Sequence, residues 1–303
     1  MSGYGLCFWV VCHVMMLMTT TTVVEAASGR IIGGVMAPKK SFGEYVMIMD
    51  EKKRESCGGT LIQKNLVLTA AHCLKGQSTK KMFLAKGNIK YDWKKDVLKS
   101  ADEIVQPKKL ISHPRYQKSD GNDIGVVVLN GTMSSPFAKL AERNTKPAAG
   151  TIMTAIGFGV NNDYTATNKE TGEVQGLSPP RLFEVNLTLG EPGVAPCPFE
   201  NSNPDSEISI VQQNVYRRKE ICLVGGYFYT PSSNIGVGIK SACSGDSGGP
   251  VFYEGRQYGV AGRVLDLKLC NNEFLNPFTI YTKVSAHRQR FIEPLMKKYG
   301  KKQ

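Results

Sequence analysis

Residues 241–250 read SACSGDSGGP, in which Ser247 stands among glycines with Asp246 directly before it. Glycine permits a positive φ and a close approach of the backbone to a substrate, so the stretch predicts an exposed nucleophile on a tight turn. The amides of Gly245 and Ser247 would converge on one point and stabilise a developing oxyanion. A serine hydroxyl alone is a weak nucleophile, so this chemistry also requires a histidine base and an orienting acid. The pattern by itself leaves a glycine-rich surface loop as the alternative.

Two upstream stretches supply the missing partners. Residues 68–73 read LTAAHC and contain His72, and residues 122–129 read NDIGVVVL and contain Asp123. Asp120 is an alternative acid, but Asp123 directly precedes an apolar run that reads as a buried strand, as a desolvated orienting carboxylate should. The sequence therefore predicts His72 as the base and Asp123 as the acid.

In the order His, Asp, Ser, the motifs LTAAHC, NDIGVVVL and GDSGGP resemble those of the chymotrypsin-like serine proteases (trypsin, chymotrypsin, elastase), over roughly residues 31–299. The resemblance implies an all-β fold of two packed six-stranded antiparallel β-barrels with a C-terminal helix. It also implies an endopeptidase that works through an acyl-enzyme on Ser247. Short apolar runs between polar turns over residues 56–129 agree with barrel strands. ISHPRY resembles a loop of the family, which implies that His113 is a surface histidine without a catalytic role.

The N-terminus predicts export. Residues 6–18 form an apolar run shorter than the roughly 20 residues of a membrane span, and the small residues VVEAAS follow it. We predict a signal peptide and a secreted, extracellular protein, with a signal anchor as the alternative. The predicted parts are the signal peptide 1–27, a propeptide 28–30 and a protease domain 31–303 with barrel halves at about 31–140 and 150–284.

Residues 29–34, GRIIGG, resemble the zymogen activation site of the family. Cleavage after Arg30 by an activating protease would free the ammonium of Ile31, which in the family pairs with the aspartate before the nucleophile, here Asp246. Loss of one partner from a buried ion pair is severely disruptive, so the pairing would serve as a switch that orders the oxyanion hole.

Eight cysteines are present, of which Cys7 and Cys12 lie in the predicted signal peptide. An even number in an exported protein predicts disulfides, although spacing alone leaves the pairing open. There is no CxxC motif or His/Cys cluster in the sequence, and the acidic pair of the family's calcium loop is not evident in FLAKGNIKYDW, so we expect no metal and no organic cofactor. The resemblance implies the pairs Cys57–Cys73, Cys197–Cys222 and Cys243–Cys270.

The net charge of +12 is unusual for a globular chain of 303 residues. A protein with such a charge can bind polyanions, among them anionic glycans, although a solubilising surface is the simpler explanation of the charge. The basic residues are not interleaved with aromatic ones, which argues against nucleic acid. The expected partners are protein or peptide substrates, protein protease inhibitors and possible glycans, bound by a monomer. Asn130 and Asn186 begin N-glycosylation sequons.

The specificity pocket is inferred from the resemblance. The family places the pocket floor six residues before the nucleophile, at Ser241, and matching GVAGRV and NPFTIYTKV to the family places Val264 and Thr279 on the walls. A neutral floor cannot pair with Lys or Arg, and these walls look elastase-like, so we expect cleavage after small or medium apolar residues. Preference for large apolar residues, as in chymotrypsin, is the alternative.

Two residues depart from the family pattern. Gly262 and Arg263 replace a serine and a tryptophan usual on the substrate-binding strand, and the serine normally contacts the catalytic aspartate. Loss of this serine is expected to weaken the orientation of His72. The alternative function for the chain as a whole is a non-catalytic homologue that serves as a binding module.

Overall fold

The computed structural model describes residues 33–92, 94–117, 122–159, 161–167, 174–177, 179–190, 219–229, 237–243, 245–264 and 278–301. The described chain is mostly antiparallel β-structure and ends in a helical segment, which confirms the predicted fold class.

The first half of the chain forms a seven-stranded sheet with the order β8-β5-β2-β3-β4-β10-β9. Its edge strands, β8 and β9, are separated in sequence by Gln106 alone, so the sheet curls and the two edges approach each other at that residue. The edge strands are not paired with each other in the described structure, so this half is a half-barrel. The strands of this part of the chain are β1 (Val35–Met36), β2 (Tyr45–Met49), β3 (Glu55–Gln63), β4 (Leu66–Thr69), β5 (Phe83–Lys86), β6 (Lys90–Asp92), β7 (Val97–Ser100), β8 (Glu103–Val105), β9 (Pro107–Ser112), β10 (Gly125–Leu129) and β11 (Lys139–Leu140).

The second half contains the closed six-stranded barrel. Its strands follow the order β15-β12-β19-β20-β21-β16, and a pairing between β15 and β16 closes the ring. Two early strands join this sheet: β1 pairs with β15, and β11 runs parallel to β20. The remaining strands are β12 (Ile152–Gly157), β13 (Asn161–Thr167), β14 (Val174–Leu177), β15 (Phe183–Leu189), β16 (Glu220–Gly225), β17 (Tyr227–Tyr229), β18 (Val237–Ile239), β19 (Pro250–Tyr253), β20 (Arg256–Val264) and β21 (Phe278–Lys283).

Strand β2 shows how the two halves are joined. All five residues of its sequence, YVMIM, are buried. Since successive side chains of a strand point to opposite sides, the strand is covered on both faces. Val46 and Ile48 pack into the core of the half-barrel. Tyr45, Met47 and Met49 pack on the other side, in a cluster that also contains Ile156, Phe158 and Phe252 of the second half. We call this cluster the seam cluster.

The chain ends in a helical segment built from α1 (Val284–His287), a π-helical turn (Arg288–Ile292) and α2 (Glu293–Tyr299). The π-turn ends two residues before Pro294, which has no backbone N–H to donate to the helix. No helix among the described residues has the length and apolar character that a membrane span would need.

The prediction that His113 lies on the surface is wrong. The residue is only 8% exposed, and its ring packs edge-on against His287 of α1 and Phe291 of the π-turn, with ring centroids 5.1 and 4.9 Å away. The sequence did not reveal this because the helical segment that covers His113 lies more than 170 residues further along the chain (287 − 113 = 174).

Candidate active site

A histidine and an aspartate meet at one end of the half-barrel. The Nδ1 of His72 lies 2.6 Å from Oδ2 of Asp123, and the backbone N–H of His72 donates to Oδ1 at 2.8 Å. The carboxylate thus holds both the ring and the main chain of His72. Asp123 is buried, whereas about a third of the His72 side chain (32%) is open to solvent. This is the arrangement in which a carboxylate fixes the tautomer and orientation of an accessible base.

The strand pairing explains why these two residues meet. His72 follows the end of β4, and Asp123 precedes the start of β10. The two strands are antiparallel neighbours with Thr69 opposite Gly125, so the end of one lies beside the start of the other. A Cβ at position 125 would lie 2.6 Å from Leu74 Cδ1 and 3.2 Å from the Ile111 carbonyl, so a larger residue there would force Leu74 to shift.

The loop that carries Ser247 comes from the closed barrel and packs on the half-barrel. Gly58 of β3 donates its N–H to the Ser247 carbonyl at 2.7 Å, and Gly248 donates to the Ala261 carbonyl at 2.7 Å. Gly245 and Gly248 have φ of +95° and +78°, the left-handed region that favours glycine. A Cβ on Gly248 would lie 3.1 Å from the amide nitrogen of Ala70, two residues before His72. The tight turn that the sequence predicted is therefore present beside the His–Asp pair.

Some hydrogen-bonding groups of this loop have no partner among the described residues. The amides of Gly245 and Ser247 make no hydrogen bond to another described residue. Nor does the Ser247 hydroxyl bond to the His72 ring, and such bonds are often long until a substrate is bound.

Asp246 is buried beneath this loop. Its carboxylate accepts an N–H from Gly159 at 2.8 Å and one from Cys243 at 2.9 Å. A Cβ on Gly157 or Gly159 would collide with the carboxylate, which explains the glycines at both positions. Burial raises the pKa of Asp246 to about 6, although the two backbone donors act in the opposite direction. The proposed partner residues Arg30 and Ile31 lie outside the described residues.

The predicted Cys57–Cys73 disulfide is present beside His72. Sulfur and ring nitrogen atoms of Cys57, His72 and Cys73 lie within 4.8 Å of one another, but disulfide sulfurs are not the thiolates that bind zinc. Cys222 and Cys243 are also disulfide-bonded, and their predicted partners, Cys197 and Cys270, lie outside the described residues.

The predicted pocket residues come together near the same loop. Ser241 and Thr279 are buried, and their hydroxyl oxygens lie 3.4 Å apart. In the β20–β21 pairing, Val264 stands opposite Thr279, although its side chain lies outside what the structure describes. The Ser241 hydroxyl also donates to the Ala242 carbonyl at 2.7 Å, so these two neighbouring side chains are neutral and hydrogen-bonded within the protein.

One residue near the site was missed by sequence reasoning. The hydroxyl of Thr282 donates to the carbonyl of Asp123 at 3.0 Å, and both groups are buried. A Cβ on the neighbouring Gly262 would lie 3.7 Å from the Thr282 hydroxyl and 3.6 Å from Oδ2 of Asp123. Thr282 could not be recognised beforehand, because a threonine in FTIYTK reads as an ordinary strand residue.

The two sequon asparagines lie on the surface. Asn130 follows β10 and Asn186 lies within β15, and both are exposed. The Asn186 side chain accepts a hydrogen bond from Thr154 at 3.0 Å.

A closed barrel, a half-barrel and a His–Asp pair beside a glycine-flanked serine define the class of chymotrypsin-like serine hydrolases. The comparisons agree with this class: the family Trypsin matches residues 31–182 and 196–290. The chain belongs to the trypsin family of serine endopeptidases, which hydrolyse peptide bonds of protein substrates.

Individual relatives span the chain to different extents. Trypsin alpha-4 of Lucilia cuprina is 30% identical over 240 residues, which cover 78% of each chain. Vitamin K-dependent protein C of Rattus norvegicus is 27% identical over 270 residues, and the match covers 85% of this chain but 50% of the relative. The solved structure of human heparin binding protein shares the fold, with a TM-score of 0.61 at 19% identity, over 90% of this chain and 100% of the other.

Proposed function

We propose that this serine protease is a secreted endopeptidase made as a zymogen, in which Ser247 is the nucleophile, His72 the general base and Asp123 the orienting acid. The observation that carries the proposal is the 2.6 Å contact between His72 and Asp123 beside the Ser247 turn. Ser247 attacks the scissile carbonyl while His72 accepts its proton and then delivers it to the leaving amine. The amides of Gly245 and Ser247 stabilise the oxyanion.

The proposed activation uses the buried Asp246. Its carboxylate is desolvated and has two backbone donors but no cation among its described hydrogen-bond partners. Cleavage after Arg30 would supply the Ile31 ammonium as the missing cation. Since that pairing would fix the residue adjacent to Ser247, it would order the oxyanion-binding amides at the same time.

Cleavage after small or medium apolar residues is the proposed preference. The support is the neutral pair of hydroxyls at Ser241 and Thr279, because a site without a carboxylate does not select Lys or Arg. A pocket that accepts large apolar residues is the alternative.

A single set of assays tests these proposals. The full-length chain and the product of cleavage at Arg30 are treated with a serine-directed fluorophosphonate, and hydrolysis of peptides that end in Ala, Val, Phe or Arg is then measured. We expect labelling of Ser247 and hydrolysis after Ala or Val, both much faster after cleavage. Ser247→Ala or His72→Ala should lower kcat by about 10⁴-fold or more.

Other outcomes would revise specific parts of the proposal. Preference for Phe would show that the walls at Val264 and Thr279 are placed wrongly. Equal rates before and after cleavage would contradict the zymogen switch. Absence of both labelling and hydrolysis would favour a binding module without catalytic activity.

A further inference from the structure

The ring nitrogen of His72 that faces away from Asp123 lies against a disulfide sulfur. Asp123 accepts a hydrogen bond from Nδ1, so Nε2 carries the free lone pair of the neutral ring. Nε2 lies 3.5 Å from Sγ of Cys73, which itself lies 3.7 Å from the Ser247 carbonyl oxygen. With Sγ of Cys57, a ring nitrogen and two sulfurs all lie within 4.8 Å of one another beside the Ser247 turn.

Reduction of the disulfide would turn both sulfurs into metal ligands. A phosphine breaks the bond between Cys57 and Cys73 and takes the oxygen atom of a water molecule as it is oxidised to its phosphine oxide. The two hydrogens of that water end on the two sulfurs, and they leave as protons when the thiols bind Zn²⁺. Thiolate and imidazole are ordinary zinc ligands, and a site with three protein ligands keeps a fourth position open for water.

The spacing of the group agrees with a zinc site. Zinc lies about 2.3 Å from sulfur and about 2.0–2.1 Å from nitrogen, so tetrahedral geometry places these two ligand atoms about 3.5 Å apart. Nε2 of His72 and Sγ of Cys73 are already separated by 3.5 Å. Two thiolates on one zinc ion are about 3.8 Å apart, and sulfurs released from their covalent bond separate to van der Waals contact at nearly the same distance. We therefore expect Cys57 to shift and His72 to keep its position.

The contacts of His72 also suit a metal ligand. A histidine that binds zinc usually donates its other ring N–H to a carboxylate, which fixes the ring and raises its basicity. The 2.6 Å contact from Nδ1 to Asp123 is a bond of this kind. Both cysteines are buried, whereas about a third of the His72 side chain (32%) is exposed. An ion and its water ligand would therefore enter from the solvent side of His72.

The stability of the fold explains only part of this arrangement. The disulfide links β3 to the segment after β4, and such a crosslink constrains the unfolded chain. That role does not require either sulfur to lie against the lone pair of a catalytic base. The approach of Cys73 to Nε2 therefore calls for a second explanation.

We propose that the reduced chain binds one zinc ion through Cys57, Cys73 and Nε2 of His72, and that this ion blocks catalysis. The inhibition rests on the proposed function, because the lone pair that would bind zinc is the one that accepts the Ser247 proton. One lone pair cannot do both. The site exists only before the disulfide forms, so zinc would keep the base inactive until the sulfurs are oxidised.

The first experiment measures Co²⁺ binding to the full-length chain after treatment with a water-soluble phosphine. Co²⁺ replaces Zn²⁺ because its thiolate complexes absorb light, and Zn²⁺ should displace it. The control is Cys57→Ser with Cys73→Ser, which retains every other cysteine. We expect the unchanged chain to bind one more Co²⁺ ion than the control does. Asp123→Asn should weaken this binding by about 10–100-fold, because the ring loses the carboxylate that orients it.

The second experiment measures peptide hydrolysis by the chain cleaved after Arg30. A small excess of Zn²⁺ should lower the rate at least tenfold after phosphine treatment, and EDTA should restore it. The oxidised chain and the serine control should keep their rates. Zn²⁺ should also raise the unfolding temperature of the reduced chain, since the ion binds the folded state, and should not raise that of the control.

Three results would overturn the proposal: equal Co²⁺ binding by the unchanged chain and the serine control, equal inhibition of the oxidised and reduced chains by Zn²⁺, or an unfolding temperature of the reduced chain that Zn²⁺ does not change. The Co²⁺ titration is repeated with Ser247→Ala, because metal binding needs no nucleophile. A chain that binds Co²⁺ but hydrolyses no peptide in its oxidised form would support the metal site and contradict the proposed function.

Discussion

The pKa of Asp246 differs between the folded and the unfolded chain. Burial raises its pKa from the ordinary 3.8 to about 6, so the folded chain binds this proton more tightly than the unfolded chain does. Stability linked to a raised pKa is present at low pH and is lost as pH rises through the folded value. At neutral pH the buried, ionised Asp246 therefore lowers the free energy of unfolding of the uncleaved chain. A cation beside the carboxylate would restore this stability.

We predict that the free energy of unfolding of the uncleaved chain, kept inactive by Ser247→Ala, falls by about 2 kcal/mol between pH 4 and pH 6 because of Asp246. Asp246→Asn should remove this part of the pH dependence. Urea unfolding across this range measures it. An identical pH dependence in the two proteins would contradict the assignment.

Thr282 provides a second prediction for a single residue. Thr282→Val keeps the shape of the side chain but removes the hydroxyl that donates to the Asp123 carbonyl. If the hydrogen bond contributes about 1 kcal/mol to holding Asp123 in its catalytic orientation, its loss should lower kcat about fivefold with little change in KM.

The matched control for Thr282→Val is Thr154→Val, which removes a hydroxyl bonded to the exposed Asn186. It should leave both kinetic constants unchanged. A rise in KM with an unchanged kcat in Thr282→Val would show that the hydroxyl affects substrate binding and not the orientation of Asp123.

Among the structural elements, the helical segment is coupled to the loop that carries Asp123. His113 packs against His287 and Phe291, and its backbone N–H donates to the carbonyl of Ile124, next to Asp123. Burial, together with the positive charges of Arg115 and Lys219, lowers the pKa of His113. The neutral ring is therefore the form that suits this contact.

We predict that acid weakens the attachment of the helical segment. A histidine with a lowered folded pKa adds stability above its unfolded pKa of about 6.5, and this stability is lost as pH falls below that value. Hydrogen exchange of α1 should therefore accelerate as the pH falls from neutrality to about 5, after correction for the intrinsic rate. His113→Gln should show less acceleration, and equal acceleration in both proteins would contradict the prediction.

The sequence predicted the elements near the motifs better than the distant contacts. Short-range patterns located His72, Asp123 and the Ser247 turn, because each requires a local backbone form or an adjacent apolar strand. The burial of His113 and the role of Thr282 depend on contacts between segments more than 150 residues apart, as the sequence positions 113, 123, 282 and 287 show. Nor could strand patterns alone show that one barrel closes through β15 and β16 while the other does not.

At the scale of the whole molecule, the proposed site needs both halves at once. His72 and Asp123 lie on the half-barrel, whereas Ser247 lies on the closed barrel, and the 2.7 Å bond from Gly58 to Ser247 crosses between them. The seam cluster stabilises the same arrangement through Met47 and Phe252. Separation of the halves should therefore abolish activity even when each sheet persists.

We predict that Phe252→Ala, which removes a buried ring of the seam cluster, lowers the free energy of unfolding by about 3–5 kcal/mol. The variant should also separate the loss of activity from the unfolding of the strands. On heating, activity should be lost at a lower temperature than the circular dichroism signal of the strands. The control is Leu187→Ala, within the core of the closed barrel. It should lose activity and strand signal together, and similar behaviour of both variants would contradict the prediction.

The pairing of β1 with β15 has a consequence for activation. Because Val35 is fixed on the second sheet, only residues 31–34 separate the proposed new terminus from an anchored strand. Four residues span at most about 14 Å, so Ile31 would act as a ligand on a short tether. Its effective concentration near Asp246 would be set by that length and not by the amount of enzyme in solution. Once the bond after Arg30 is cut, ordering of the site should therefore be a first-order process that dilution does not slow.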